Sequence, residues 1–230
     1  MNFFYISPLI LQKIIWIQTR IILSFFTNFK VEGLENLKGI EGNAIFASNH
    51  SSELDPILLP ASLPFWSHFS PIFYASLSKS RYVNSGWRQY FYGGTFFKLW
   101  GAHPIYTGLK DYEKSLVNHT RLLMENKNLF VFPEGRMTLD GNIQPARGGI
   151  AYLAEHTDRP IVPIAIFGVY NMSNKDFFFR KRHIIVRFGK PIYKKELREH
   201  VARTLEIGGN VYKEEAQYVM EKIKELLEVK

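Results

Sequence analysis

The chain has 230 residues, enough for one domain with a sizeable core, and 29 Lys and Arg against 21 Asp and Glu leave a net charge of +8, which favours an anionic partner. It contains no cysteine, which excludes disulfides, thiolate metal sites and a cysteine nucleophile. The cations are interspersed with acids and match no zinc-finger, RNA-recognition or basic-zipper pattern, so nucleic acid is not an expected partner.

Nineteen Phe within an aromatic content of 15% exceed what a small core uses, so some should face a medium other than water. Residues 2–30 are the first place to look, carrying only Lys13, Arg20 and Lys30 as charges. No basic region precedes the first apolar run and no small-residue cleavage site clearly follows it, so a cleavable signal peptide is not expected. At about 100° per residue, Gln12, Lys13, Thr19, Arg20, Ser24, Thr27 and Asn28 share one half of a helix. The other half holds Ile10, Leu11, Ile14, Ile15, Ile17, Ile21, Ile22, Phe25 and Phe26. Such a face suits a helix lying in a lipid interface or one packed on the core. A spanning helix fits less well, because Ser7, Pro8, Gln12, Lys13 and Gln18 to Arg20 break the apolar run. The expected organisation is an amphipathic segment over 1–29 and one domain over 30–230.

Beyond this segment, short apolar runs at 43–48, 71–75, 104–106, 128–132, 161–167 and 184–188 predict strands. Helical spacing predicts helices over 87–100, 111–126 and 148–156, and a final amphipathic helix over 212–229 with Val219, Ile223, Leu226 and Leu227 on one face. This alternation predicts an α/β fold, a mostly parallel central sheet flanked by helices.

The segment Asn49-His50-Ser51-Ser52-Glu53-Leu54-Asp55-Pro56 directly follows the strand at 43–48. It brings polar chemistry to a strand's carboxyl end, where open α/β sheets bind ligands. On a continuous helix His50 and Asp55 would lie about 140° apart, so His50 must precede the helix. Asp55 before Pro56 reads as an N-cap followed by the first helical residue, a turn able to fold the carboxylate back on the imidazole. In such a pair the carboxylate fixes the tautomer while the other ring nitrogen takes a proton. A Ser51 or Ser52 nucleophile is the rival, but the chain lacks a Gly-x-Ser-x-Gly elbow.

Phe130-Val131-Phe132-Pro133-Glu134-Gly135-Arg136 is a second strand running into a charged turn. Arg136 offers a planar fork for a phosphate, and Glu134 an acceptor for substrate hydroxyls or a partner for an Arg. The alternative is a surface Glu and Arg in an ordinary turn.

With Ile161-Val162-Pro163-Ile164 following in order, Asn49-His50-x4-Asp55 and Phe132-Pro133-Glu134-Gly135 resemble the glycerolipid acyltransferases, a family that includes bacterial 1-acylglycerol-3-phosphate acyltransferases. Val31-Glu32-Gly33-Leu34-Glu35-Asn36-Leu37, Arg147-Gly148-Gly149 and Phe188-Gly189-Lys190-Pro191-Ile192 extend the resemblance over about residues 30–192. It implies acyl transfer from acyl-CoA or acyl carrier protein to a lysolipid hydroxyl, without cofactor or metal. It makes His50 the base and Asp55 its partner, with Glu134, Gly135, Arg136 and Arg147 toward the acceptor. With the amphipathic amino-terminal segment, the +8 charge and the absence of cysteine, the expected placement is peripheral or monotopic on the cytoplasmic face of an anionic membrane.

Two positions depart from the family pattern. Where the family usually has Glu-Gly-Thr-Arg, Arg136 follows Gly135 directly and Met137 takes the Arg position, a shorter form that some members share, and Thr107 follows Gly101-Ala102-His103-Pro104-Ile105-Tyr106 where an Arg is expected. Lys110 or Arg147 is then the substitute phosphate contact, or the acceptor is another lysolipid carrying less charge. A non-catalytic lipid-binding member of the fold is the alternative from another class. Two features stay open between function and packing. Phe177-Phe178-Phe179-Arg180-Lys181-Arg182 suits a loop entering an anionic leaflet or a capped core edge, and His103 suits the site or a structural role.

Overall fold

A computed structural model describes residues 3–77, 94–109, 111–204 and 209–229. Helix α1 (Phe3–Phe26) runs directly into strand β1 (Asn28–Glu32), and a short 3-10 turn (Leu34–Leu37) leads toward β2 (Ile45–Ser48). Then come α2 (Asp55–Ser62), β3 (Ile72–Leu77), α3 (Thr95–Trp100), β4 (Ala102–Ile105), α4 (Tyr112–Met124) and β5 (Asn128–Val131). The chain continues with α5 (Gly149–Thr157), β6 (Ile161–Phe167), α6 (Asn174–Phe178), β7 (His183–Phe188), α7 (Lys194–Thr204) and α8 (Val211–Glu228). Of the helix expected over 87–100, residues 87–93 lie outside the described residues, and α3 forms its remainder.

The strands make one seven-stranded sheet in the order β1-β7-β6-β2-β5-β3-β4. From β6 to β4 all neighbours are parallel, β7 is antiparallel to β6, and β1 is parallel to β7. The sheet is therefore mixed but mostly parallel, and helices cover both faces. Alternation within the central strands explains their continuous apolar runs. Phe46 and Phe130 point to one core together with Leu58, Leu59 and Leu23, while Ile45, Leu129 and Val131 point to the other with Leu122, Ile150, Ala216 and Val219.

Helix α1 joins the first of these cores, and its docking reverses the expected placement of Gln12. Gln12 is buried, its Nε2 donating to the carbonyls of Ile72 (2.7 Å) and Trp100 (3.1 Å) while its Oε1 accepts from Ile72 N (2.9 Å). The amide thus satisfies backbone groups at the start of β3 and the end of α3 that would otherwise be buried unpaired. Beside it, Pro8 packs on Gly101, where an added Cβ would meet the Pro8 ring at 3.1 Å and where φ is +96°. Further along, Trp16 Nε1 donates to Leu63 O at 2.9 Å and Leu23 enters the core. The side that meets the domain is therefore mixed, with Gln12 set among Pro8, Leu11, Ile15, Trp16 and Leu23. Ile10, Ile14, Ile17, Ile21, Ile22 and Phe25 stand exposed on the outer side. By length and composition α1 is able to cross a bilayer, but its contacts lay it along the domain instead.

Candidate active site

Strands β6, β2 and β5 are neighbours at the centre of the sheet, and their carboxyl ends build the site. Asn49, buried just beyond β2, uses Nδ2 to donate to Ile166 O (3.0 Å) and Oδ1 to accept from Ile166 N (2.9 Å). Its side chain continues the β2–β6 ladder for one more pair and leaves His50 at the sheet's rim.

Asp55 is completely buried, and its Oδ2 accepts from His50 Nδ1 at 2.9 Å, Ser51 N at 2.7 Å and Ser52 N at 2.9 Å. The expected capping geometry is off by one residue. Leu54 occupies the N-cap, and Asp55 is the first residue of α2 with Pro56 next. The carboxylate turns back because the tight turn presents it with two N–H donors and the imidazole, a stronger set of partners than its own helix offers. With Nδ1 donating to a carboxylate, Nε2 carries the lone pair. Among the described residues Nε2 has no hydrogen-bond partner, and the His50 side chain is 20% exposed. A base fixed in tautomer and open on one nitrogen is able to deprotonate a hydroxyl. No hydrogen bond joins His50 to either serine hydroxyl among the described residues, and Ser52 Oγ instead accepts from Leu54 N at 3.2 Å.

The turn after β5 holds His50 in three ways. Phe132 stacks on the imidazole with centroids 3.8 Å apart and planes 12° apart. Glu134 Oε1 accepts from His50 N at 2.9 Å, and Thr138 N donates to His50 O at 2.8 Å. Glu134 is buried, and its other oxygen accepts from Gln144 N at 2.8 Å. Burial lifts its pKa above the usual carboxylate range, against the backbone N–H groups of Gln144 and His50, which act the other way. Each oxygen of Glu134 is thus committed to a backbone N–H, so the carboxylate already has partners before any substrate hydroxyl arrives.

Gly135 has φ +69°, and a Cβ there would lie 2.8 Å from Arg147 Cδ and Nε. The missing side chain lets Arg147 cross the turn, while Arg147 N donates to Pro133 O at 2.8 Å. Arg136 and Arg147 are both exposed, and neither is in an ion pair among the described residues. Thr107 lies exposed beyond β4, and Lys110 lies outside the described residues. His103 belongs to β4 on the other face of the sheet, its ring near Phe73 and its carbonyl bonded to His119 Nε2 at 3.1 Å. Among the described residues no group of three or more His, Asp or Glu side chains is placed to hold a metal.

The pattern picked out His50, Asp55 and Glu134, which the fold brings together, and Arg136 and Arg147, which it leaves at the rim. Sequence reasoning missed Asn49, Phe132, Thr138 and Gln144 as the parts that position His50. Asn49 and Phe132 lay inside the recognised motifs, whereas Thr138 and Gln144 act through backbone N–H groups and leave no side-chain signature.

A family model described as Acyltransferase matches residues 28–167. The chain belongs to the acyltransferase family. Among curated proteins this acyltransferase is 29% identical over 168 residues to a 1-acyl-sn-glycerol-3-phosphate acyltransferase of Limnanthes douglasii, covering 71% of this chain and 54% of that protein. It is 26% identical over 170 residues to a chloroplastic 1-acyl-sn-glycerol-3-phosphate acyltransferase of Arabidopsis thaliana, covering 73% and 44%. The chain spans about half the length of the curated relatives it matches. Its fold resembles the crystal structure of the 1-acyl-sn-glycerophosphate acyltransferase PlsC from Thermotoga maritima, with TM-score 0.62 and 18% identity over 96% of this chain and 80% of that one.

Proposed function

We propose that this acyltransferase moves a fatty acyl group from acyl-CoA or acyl carrier protein to the free hydroxyl of 1-acylglycerol-3-phosphate, giving phosphatidic acid. The observation that carries the reading is the His50–Asp55 pair, fixed at the central strand ends with Nε2 open. His50 Nε2 takes the proton of the acceptor hydroxyl as its oxygen attacks the thioester carbonyl, and Asp55 stabilises the imidazolium. When the tetrahedral intermediate collapses, the C–S bond breaks and the thiolate takes the proton back from His50. A thiol pKa of about 8.5 makes it a ready leaving group. Glu134 holds the base loop in place, Gly135 opens the turn, and Arg136 and Arg147 meet the acceptor's phosphate as a pair of planar forks.

The acceptor reaches this site from a membrane. The exposed apolar ridge of α1 supports a monotopic placement, with the helix in the plane of the cytoplasmic leaflet and soluble thioesters arriving from water. A second acceptor reading is favoured by Thr107, which stands in place of an expected arginine. A lysolipid with a less charged head needs less neutralisation.

The test is to incubate purified protein with labelled acyl thioester and a panel of lysolipids, following both acylated product and free acid. Product with lysophosphatidic acid above all other acceptors supports the first reading. Preference for a lysophospholipid supports the second, free acid without acceptor identifies a hydrolase, and neither product leaves a lipid-binding protein. Arg136→Ala should cost more with the phosphate acceptor than with a neutral one.

A further inference from the structure

Helix α6 follows β6, whose end is tied to Asn49, so it lies at the same end of the sheet as His50. Phe177 and Phe178 end it, Phe179 caps it, and the three divide their work. Phe177 packs against the first core, as Met172 does, and its ring lies 5.2 Å from Phe26 at the end of α1. That contact already closes the core edge. Phe178 and Phe179 remain 60% and 72% exposed.

These exposed rings are not isolated from α1. Phe178 meets Phe26 edge-on at 5.3 Å, and Phe26 meets Phe25 at 4.8 Å. The outer ridge of α1 therefore continues through Phe25 onto the tip of α6. Large contiguous apolar surface of this kind marks a contact with a protein or a membrane. The surrounding charge chooses between them. Arg180, at φ +56°, turns the chain away from the helix, and Lys181 follows it. Lys175, Arg180 and Lys181 are exposed, and none is in an ion pair among the described residues. Arg182 instead binds Asp176 at 3.2 Å and Asn171 O at 3.1 Å, so it holds the loop's shape. Asp176, the one acid of α6, is thereby neutralised.

We infer that the α6 tip is a second membrane-insertion point, with Phe178 and Phe179 entering the acyl region of an anionic bilayer while Lys175, Arg180 and Lys181 meet its phosphates. Aromatic side chains flanked by cations suit the boundary between acyl chains and head groups. The inference rests on the reading of α1 as membrane-facing and adds what that reading lacks, a contact at the active-site end. Two points of attachment fix rotation about the α1 axis and keep the rim of the His50 site toward the lipid from which the acceptor comes.

The experiment measures binding of the full chain to vesicles of phosphatidylcholine alone or mixed with phosphatidylglycerol, at low and high salt. Wild-type protein should prefer the anionic vesicles, with the preference falling as salt rises. Arg180→Ser with Lys181→Ser should weaken anionic binding by about 25-fold, at about a factor of five for each cation near the surface. Phe178→Ser with Phe179→Ser should weaken binding to both compositions. Acyl transfer to a short-chain lysolipid in detergent should survive in every variant, which shows that they are folded and keeps the chemistry separate. Phe variants that bind as wild type does, while Ile17→Glu with Ile21→Glu in α1 releases the protein, would overturn the α6 tip and leave α1 standing. A wild type that ignores anionic vesicles would overturn both.

Discussion

Glu134 grips the backbone N–H of His50 at 2.9 Å across 84 residues of chain. Together with Phe132 and Thr138 it makes the turn after β5 a cradle for His50.

Glu134→Gln keeps the volume but turns an NH2 group toward one of two backbone N–H donors. If the carboxylate works by positioning His50, kcat should fall by about 10²-fold, the scale of a misplacement near 1 Å, with the acceptor KM little changed. Steady-state kinetics decide the point. A raised KM with kcat intact would make Glu134 a direct acceptor contact.

Asp55→Asn retains the shape but removes the charge that selects the His50 tautomer and faces the imidazolium. The expected loss in kcat is on the order of 10³–10⁴-fold, and adding it to His50→Ala should cost little more, because the two act as a unit. Separate additive losses would show that Asp55 serves only the turn made by Ser51 and Ser52.

The His50–Asp55 pair was legible because its residues are close in sequence and follow an obvious buried strand. The Glu134 contact was not, since nothing local announces a partner 84 residues away. Among the elements, β2, β5 and β6 stand out as apolar runs because both sheet faces are covered. β1 escaped notice because, among the described residues, it is an edge strand pairing with β7 alone, with Asn28 and Lys30 exposed. α7 escaped because only Leu197 and Val201 are buried among its charges. Gln12 was grouped correctly with the polar residues of α1, but polarity alone does not say which side meets the domain when buried backbone groups need partners.

Gln12→Ala should unfasten α1. It leaves Ile72 N, Ile72 O and Trp100 O without their side-chain partner, a loss of roughly 2–3 kcal/mol. For a chain of this size the melting temperature should fall by about 5–10 °C in thermal denaturation. An unchanged transition would mean that the Gln12 contacts contribute nothing to the domain's stability.

Glu215 on α8 gives a pH dependence far from the site. It is buried, and burial followed by the charge of Glu155 pushes its pKa up to about 7. Burial would raise Glu155 as well, but Arg198 and Lys194 hold it below the usual carboxylate range. Between about pH 4.5 and 7 the folded state keeps a proton on Glu215 that the unfolded chain releases, so its contribution to stability falls as pH rises through this window. Glu215→Gln should flatten the decline and raise stability at pH 8 by roughly 1–2 kcal/mol, read from denaturant titrations across the range. A wild-type stability that does not fall between these pH values would rule out the coupling.

The docking of α1 also sets an order of events during synthesis. The groups that Gln12 binds lie 60 and 88 residues further along the chain. When residues 3–26 leave the ribosome, neither β3 nor α3 yet exists, so the helix has an outer ridge and no inner seat. Its docking waits until Trp100 has been made, so the contact that fastens the first helix closes only after β3 and α3 are in place.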